Sequence, residues 1–174
     1  MSLPAGTTEH RADAATRPPV QVAVIVISDK RTLATDESGP LACTLLRNAG
    51  HLVTEFQLLP NDEANTRAHV ATLIARKDVD VVILCGGTGL GAKDRTVEAV
   101  RPLLEKELPG FGELFRLISF QEQIGTAAIL TRALAGSING RLIVSLPGSK
   151  AAVELALTRV LLPELQHLLH ELRR

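Results

Sequence analysis

The chain has 174 residues, with 19 basic and 19 acidic side chains and therefore a formal net charge of zero at pH 7. Its length fits a single domain, and its neutrality argues against a nucleic-acid-binding protein, which usually carries a basic excess. Aromatic residues make up only 2% of the sequence, which also disfavours the stacking surfaces that bind single-stranded nucleic acid.

The N-terminal residues 1–19 are rich in Ala, Thr, Pro and polar residues and show no periodicity. This composition predicts a disordered or loosely attached arm, followed by one domain at residues 20–174. The N-terminus lacks a signal-peptide pattern, and no apolar run approaches the roughly 18 residues of a membrane span. The sequence thus predicts a cytoplasmic protein with no membrane or nucleic-acid partner.

Strand and helix patterns alternate along the remaining chain. Short runs rich in β-branched residues predict strands, and wider apolar spacing predicts helices. In chain order these are strand Val22–Ile27, loop Ser28–Pro40, helix Leu41–Ala49, strand Val53–Leu59, helix Ala64–Ala75, strand Val79–Leu84, helices Asp94–Leu104 and Phe111–Phe120, strand Arg141–Leu146, and a helix from Ser149 to Leu162 with an amphipathic tail to Leu172. Residues 124–135 are ambiguous. The alternation predicts an α/β domain with a mostly parallel sheet.

Polar loops follow the predicted strands. They are Ser28–Asp29, Pro60–Glu63, Gly86–Asp94 and Pro147–Lys150. Ligands of open α/β sheets bind at the carboxyl ends of the strands, so we expect these loops to converge on one site. The two cysteines, Cys43 and Cys85, lie in apolar stretches without metal-ligand spacing, which predicts buried thiols.

The loop with the strongest chemical signal is Gly86–Gly91, in which four of six residues are glycine. Exposed backbone N–H groups in such a turn form an anion-binding concavity, and a following helix adds its positive end. A Walker A loop is rejected because Ala92 stands where lysine is required, and a dinucleotide fingerprint because the loop follows the third strand. A tight turn without a ligand is the alternative.

Acidic residues close to this loop suggest a cation. Asp94 comes three residues after Gly91, and Thr96 and Glu98 follow it. An acid beside an anion site is unfavourable unless a cation lies between them, and Mg²⁺ is held by one or two carboxylates together with substrate phosphates. Asp62 or Glu63 is a candidate second carboxylate. The alternatives are a helix cap for Asp94, and a helix cap or a solvated charge for Asp62 and Glu63.

Two further loops carry candidate polar contacts. Ser28 and Asp29 leave the first strand and suit a base, a phosphate or a pterin edge, with a solvated loop as the alternative. Lys150 lies at a predicted helix start, which is unfavourable for a cation. This position indicates a nearby anion, unless the side chain is simply solvated.

Together these loops resemble the MoaB/MogA family of molybdenum-cofactor biosynthesis proteins, over about Val22 to Leu165. The MoaB branch of the family is the more similar one, through Ser119–Thr126. The motifs that carry the resemblance are Ile27–Arg31, Asp36-x-Ser38–Gly39, Gly86–Gly89 with Asp94-x-Thr96-x-Glu98–Ala99, Pro109–Glu113 with Arg116 and Ser119, Thr131–Ala133, and Leu146–Ser149.

The resemblance implies a three-layer α/β/α sandwich with a mostly parallel, mixed sheet that binds molybdopterin. It implies transfer of AMP from ATP to the terminal phosphate of molybdopterin, with Mg²⁺, giving adenylyl-molybdopterin and pyrophosphate. It also implies a homotrimer or a hexamer of two trimers, and contact with other proteins of the cofactor pathway.

The implied catalytic and metal residues are Asp94 and Asp62, with Asn61 as a further metal ligand. The implied substrate and nucleotide contacts are Ser28, Asp29, Gly86, Gly87, Thr88, Gly89, Gly91, Thr96, Glu98, Arg116, Ser119, Pro147, Gly148, Ser149 and Lys150.

One departure from the family pattern leaves the activity open. Active members carry an aspartate directly after the proline that ends the second strand, where this chain has Asn61, with Asp62 one position later. An amide oxygen still binds a metal ion, but without charge. The alternatives are therefore a non-catalytic protein that binds molybdopterin or its precursor, or an unrelated α/β enzyme for a nucleotide or sugar phosphate.

Overall fold

A six-stranded mixed sheet is the centre of the fold in the computed structural model, which describes residues 18–174. The strands are β1 (Gln21–Ile27), β2 (Leu52–Leu59), β3 (Val81–Cys85), β4 (Lys106–Glu107), β5 (Leu134–Ile138) and β6 (Arg141–Leu146). Their order across the sheet is β2-β1-β3-β6-β5-β4. The first four in that order are parallel, and β5 pairs antiparallel with both β6 and β4. The arm predicted at 1–19 lies outside the described residues, apart from Pro18 and Pro19.

Helices cover both faces of the sheet. They are α1 (Ser38–Asn48), α2 (Glu63–Ala75), α3 (Thr96–Val100), α4 (Pro109–Ser119), α5 (Lys150–Leu155) and α6 (Leu165–Leu172). Wider turns of π type extend α4 through Phe120–Ile124 and α5 through Ala156–Leu161. The sequence offers Asn61 or Asp62 as the cap of α2 and Ser149 as the cap of α5. In the structure the Asp62 and Ser149 side chains are the caps and accept the N–H groups of Asn65 and Ala152.

Alternate residues of the central strands feed two separate apolar layers. Val22, Val24 and Val26 of β1 face α1, α4, α5 and α6, whereas Ala23 and Ile25 face α2 and α3. Because both faces of the parallel strands are covered, their sequences are continuous apolar runs. The predicted three-layer α/β/α sandwich is therefore confirmed.

The sheet edge differs from the sequence prediction. Strands β4 and β5 were not predicted. Strand β4 has two residues, which are too few to show a pattern, and β5 contains a glycine and a serine, which interrupt its apolar sequence. The loop predicted at Ser28–Pro40 ends earlier, because α1 already begins at Ser38. The helix predicted at Asp94–Leu104 is wrong at both ends: α3 spans Thr96–Val100 and continues as a 3₁₀ turn at Arg101–Leu103.

The two thiols are buried in the layer between the sheet and α1, as predicted. Burial raises the pKa of the Cys85 thiol to about 12 and also raises that of Cys43. Thiols with raised pKa values stay protonated at neutral pH, so neither serves as a nucleophile. Within residues 18–174, none of the helices is both long and apolar enough to cross a bilayer.

Candidate functional site

The four polar loops converge at the carboxyl ends of the parallel strands, as expected. The Asn61 N–H donates to Asp29 Oδ1 at 2.8 Å, which joins the loops after β1 and β2. The Gly86 N–H donates to the Leu146 carbonyl at 2.8 Å, which joins the loops after β3 and β6. A β-carbon placed on Gly148 would lie 3.2 Å from Gly86 Cα. The loop backbones thus meet at one edge of the sheet.

Glycine is required at the first turn after β3. Gly86 and Gly87 have φ angles of +118° and +63°, in the region that side chains disfavour. A β-carbon on Gly86 would lie 2.2 Å from the Ile27 carbonyl oxygen, and one on Gly87 would lie 2.2 Å from Thr96 Oγ1. The chain therefore turns sharply and lies directly against β1 and α3.

This loop presents several backbone donors. Among residues 18–174, no hydrogen-bond acceptor is found for the N–H groups of Gly87, Thr88, Gly89 and Leu90. The Gly91 N–H is satisfied by Asp94 Oδ2 at 2.9 Å. Consecutive unpaired N–H groups in a curled backbone favour an anion, since each donor needs an acceptor and together they carry partial positive charge.

A cavity of about 330 Å³ opens beside this loop. It has an apolar side formed by α4 and the segment after it, and a polar side formed by the loops after β3 and β6. Its lining includes Gly87, Thr88, Gly89, Asp94, Phe115, Ser119, Gln123, Ile124, Leu130, Thr131, Pro147, Gly148 and Ser149. A cavity with an apolar wall and a few polar groups is typical of a small-molecule site.

Oxygen atoms suited to a hard cation lie along the loop. The Asp94 carboxylate packs against Gly89 and Gly91, where a β-carbon would lie 2.7 and 2.8 Å from Oδ2. Asn61 Oδ1 and Thr96 Oγ1 are buried without a hydrogen-bond partner among the described residues, and both lie against Gly87. Carboxylate, amide and hydroxyl oxygens are ligand types that Mg²⁺ accepts together with water and substrate phosphates. Of these three residues, Asp94 lines the cavity, and Asn61 and Thr96 do not.

Asp62 is placed differently from the other predicted acid. Its side chain caps α2 through the Asn65 N–H at 2.7 Å, and it does not line the cavity that Asp94 lines. Within residues 18–174 there is no cluster of three Asp, Glu, His or Cys side chains arranged to hold a metal ion. Asn61, and not Asp62, contributes the oxygen next to Gly87.

Asp29 and Ser28 organise the loop after β1. The N–H of Asn61, helped by Lys93, holds the pKa of the Asp29 carboxyl below its usual range. Ser28 Oγ accepts the N–H groups of Lys30 and Arg31, both at 3.2 Å. Both predicted residues thus lie at the converging loops, but in the described chain they serve the loop itself.

The two remaining predicted charges have carboxylate or guanidinium partners. Lys150 Nζ lies 3.7 Å from Glu37 Oε2. The Glu98 carboxylate is held by the Arg132 guanidinium, which lowers the pKa of that carboxyl. Glu98 therefore acts on the loop through Arg132 and does not line the cavity, whereas Asp94 does.

Arg116 lies apart from the main cavity, in a neighbouring one of about 420 Å³. Thr131 borders both cavities, and its buried Oγ1 has no hydrogen-bond partner within residues 18–174. The structure thus brings Ser119 to the main cavity and places Arg116 on the far side of Thr131.

Two basic residues of the site were missed as site residues by sequence reasoning. Arg132 donates to three carbonyl groups of the glycine loop and its neighbourhood. Arg31 is held by Asp36 and Ser38, and its Nη1 would lie 3.4 Å from a β-carbon on Gly148. Both belong to motifs that carry the resemblance. The carbonyl partners of Arg132 are 38 to 44 positions away in the sequence, so spacing gives no signal for those contacts, whereas Asp36 and Ser38 lie five and seven positions from Arg31.

Residues 23–167 match the family model described as a probable molybdopterin binding domain. Molybdenum cofactor biosynthesis protein B of Halalkalibacterium halodurans is 48% identical over 164 residues, covering 94% of this chain and 95% of the relative. The chain belongs to the MoaB family.

The fold agrees with solved MoaB-family structures. A crystal structure of molybdenum cofactor biosynthesis protein B has a TM-score of 0.87 and 46% identity, covering 90% of this chain and 97% of the other. The tungsten cofactor synthesizing protein MoaB from Pyrococcus furiosus has a TM-score of 0.80 and 36% identity, covering 91% of this chain and all of the other. The predicted membership of the MoaB branch is thereby confirmed.

Proposed function

We propose that this MoaB-family protein is a molybdopterin adenylyltransferase. An oxygen of the terminal phosphate of molybdopterin attacks the α-phosphorus of ATP, the new P–O bond forms, and the P–O bond to pyrophosphate breaks. The observation that carries the proposal is the row of N–H groups from Gly87 to Leu90, which have no acceptor within residues 18–174. Gly87, Thr88 and Gly89 line one cavity together with Asp94. Transfer of a phosphorus group depends mainly on positioning and charge neutralisation, and this loop is suited to both.

Each part of the site has a role in this reaction. The loop N–H groups bind phosphate oxygens of the two substrates and hold them in line for attack. Asp94, with the oxygens of Asn61 and Thr96, would hold Mg²⁺, which neutralises phosphate charge when bound. The apolar wall at Phe115 and Ile124 excludes water and suits a flat heterocycle. Ser28, Asp29, Arg116, Ser149 and Lys150 remain proposed contacts around this centre.

One observation favours a second function in the same pathway, namely binding of molybdopterin without catalysis. Asn61 brings an uncharged oxygen next to Gly87, and Asp62 is engaged as the cap of α2. A site with Asp94 as its one carboxylate attracts Mg²⁺ less strongly than a site with two. The anion loop and the cavity would then hold the ligand without neutralising the transition state.

The two functions are separated by incubating the purified protein with molybdopterin, ATP and Mg²⁺. We expect pyrophosphate release and adenylyl-molybdopterin, detected by mass spectrometry, with several turnovers per chain. Omitting Mg²⁺ is the matched control and should suppress product formation, because the phosphate charges are then not neutralised. Tight binding of molybdopterin without product would contradict the adenylyltransferase proposal and favour the binding protein.

In that second case, Asn61→Asp shows whether the missing charge is the cause. The substitution keeps the size of the side chain and adds a carboxylate next to Gly87. A gain in Mg²⁺ affinity together with product formation would identify Asn61 as the residue that silences transfer. No gain in either would remove Asn61 as the reason for inactivity.

We also propose that the protein self-associates, through the exposed apolar side of α4 and its extension. Leu114, Leu117 and Phe120, spaced three residues apart on α4 and its extension, are 44–51% exposed there. Clustered apolar side chains of this kind usually mark an interface. We expect an oligomer by light scattering, and Leu117→Glu should reduce its mass to that of smaller species. Leu52→Glu, at a 53% exposed leucine of β2, is the control and should leave the mass unchanged.

A further inference from the structure

Arg132 contacts the glycine loop more extensively than any other described side chain. Its Nε donates to the carbonyls of Thr88 and Gly89, at 3.3 and 3.0 Å, and its Nη2 donates to the Asp94 carbonyl at 2.8 Å. The Arg132 backbone N–H also donates to the Thr88 carbonyl, at 3.2 Å. One residue, 38 positions beyond Asp94 in the sequence, therefore holds the middle of the loop, at Thr88 and Gly89, and the segment after it, at Asp94.

These contacts fix the direction of the peptide groups. In a trans peptide the C=O and N–H point in opposite directions, and no peptide bond among residues 18–174 is cis. Because the carbonyls of Thr88 and Gly89 point to Arg132, the N–H groups of Gly89 and Leu90 point away from it. These N–H groups have no acceptor within residues 18–174. The orientation of the unpaired donors thus follows directly from the guanidinium contacts.

We propose that Arg132 is the positioning residue of the anion site, and that it acts through the loop backbone without contacting the ligand. This inference rests on the proposed function only for its ligand class, a phosphate or pyrophosphate group. The guanidinium holds the carbonyls on one side of the loop, so that the N–H groups of Gly89 and Leu90 are presented together to oxyanions. Donors that are oriented in advance lose little reorganisation energy on binding.

The charge of Arg132 is balanced on the side away from the loop. The Glu98 carboxylate accepts from Nη1 and, at 3.3 Å, from Nη2. Glu98 lies on α3, and that helix is joined to the loop through the Thr96 N–H, which donates to the Gly87 carbonyl at 3.0 Å. A guanidinium already committed to a carboxylate and three carbonyls has few donors left for a ligand, which favours positioning over direct binding.

Lysine cannot replace these contacts. Arginine has five N–H donors in a planar fork, whereas lysine has one ammonium group at the end of a flexible chain. Arg132→Lys keeps the positive charge but cannot contact the carbonyls of Thr88, Gly89 and Asp94 at the same time. The variant therefore separates the geometric role of Arg132 from a general electrostatic one.

The test compares Arg132→Lys and Arg132→Met with the wild-type protein, using inorganic pyrophosphate as the probe in calorimetry. We expect the affinity to fall about tenfold or more in both variants, because the donors lose their common direction. Amide exchange at Gly91, Asp94 and Thr96, whose N–H groups are hydrogen-bonded to loop acceptors, should accelerate by about the same factor, since the loop opens more often. Arg174→Met removes an arginine paired with Glu171 at the end of α6, away from the loop, and should change neither measurement.

Two further controls separate a local effect on the loop from a loss of the whole fold. Thermal unfolding of each variant identifies loss of the whole fold, which would also increase the rate of amide exchange in β1 and β3. Glu98→Gln keeps the carbonyl contacts and should change the pyrophosphate affinity less than about threefold. Wild-type affinity and protection in Arg132→Lys would overturn the inference, as would a loss in Glu98→Gln equal to that in Arg132→Met. Failure of the wild-type protein to bind pyrophosphate would also overturn it, whereas pyrophosphate binding without adenylyl transfer contradicts only the proposed enzyme.

Discussion

Asp94→Asn should lower kcat for adenylyl transfer by about 100-fold or more, the usual cost of removing a group that stabilises charge in the transition state. Asparagine keeps an oxygen for the Gly91 N–H, which now donates to Asp94 Oδ2 at 2.9 Å, so the loop should keep its shape. The decrease in kcat then measures the effect of removing the negative charge of Asp94 from beside the phosphate groups. Steady-state pyrophosphate release at saturating Mg²⁺ measures the effect.

Two matched variants separate this role from a general effect of surface charge. Asp78→Asn removes an exposed aspartate that is paired with Arg76 away from the site, and it should leave kcat unchanged. Asp62→Asn keeps a good capping side chain for α2 and should lower kcat less than tenfold if Asp62 is not a metal ligand. Full activity of Asp94→Asn and Asp94→Ala would remove Asp94 from the catalytic centre.

Gly86→Ala should lower the free energy of unfolding by about 3 kcal/mol or more, combining a strained φ with a backbone clash. The φ angle of Gly86 is +118°, and the added carbon would lie 2.2 Å from the Ile27 carbonyl oxygen. Both sides are fixed, because the Gly86 N–H bonds to the Leu146 carbonyl and Ile27 ends β1, an inner strand that pairs with β2 and β3. Urea-induced unfolding measures the change, and pyrophosphate binding should weaken with it.

Gly50→Ala is the control that isolates the cost of the backbone angle. Gly50 has a φ of +83°, but a β-carbon there meets no atom within 4 Å. We expect a loss of about 1–2 kcal/mol, the usual cost of the left-handed region for a residue with a side chain. Equal losses in the two variants would contradict the proposed close packing of the glycine loop against β1.

The sequence by itself determined the parallel part of the sheet and the convergence of the polar loops at its carboxyl edge. Strands buried on both faces are continuous apolar runs. The strands β1, β3 and β6 can therefore be predicted from their own sequences, without knowledge of the strands they pair with. The glycines after β3 and the polar loops after the other strands are local signals, and the rule for parallel sheets brings them to one edge. The caps at Asp62 and Ser149 were also predictable, because a cap contacts residues only a few positions away.

The tertiary structure alone decided how the site is supported. Arg132 reaches Thr88 and Asp94 from a position just before β5, an antiparallel strand between β6 and β4 that was not predicted from the sequence. The choice between Asn61 and Asp62 depends on which side chain lies against Gly87, and a difference of one residue leaves no trace in composition or periodicity. Contacts between residues distant in the sequence are set by the packing of whole elements, which a local pattern does not encode.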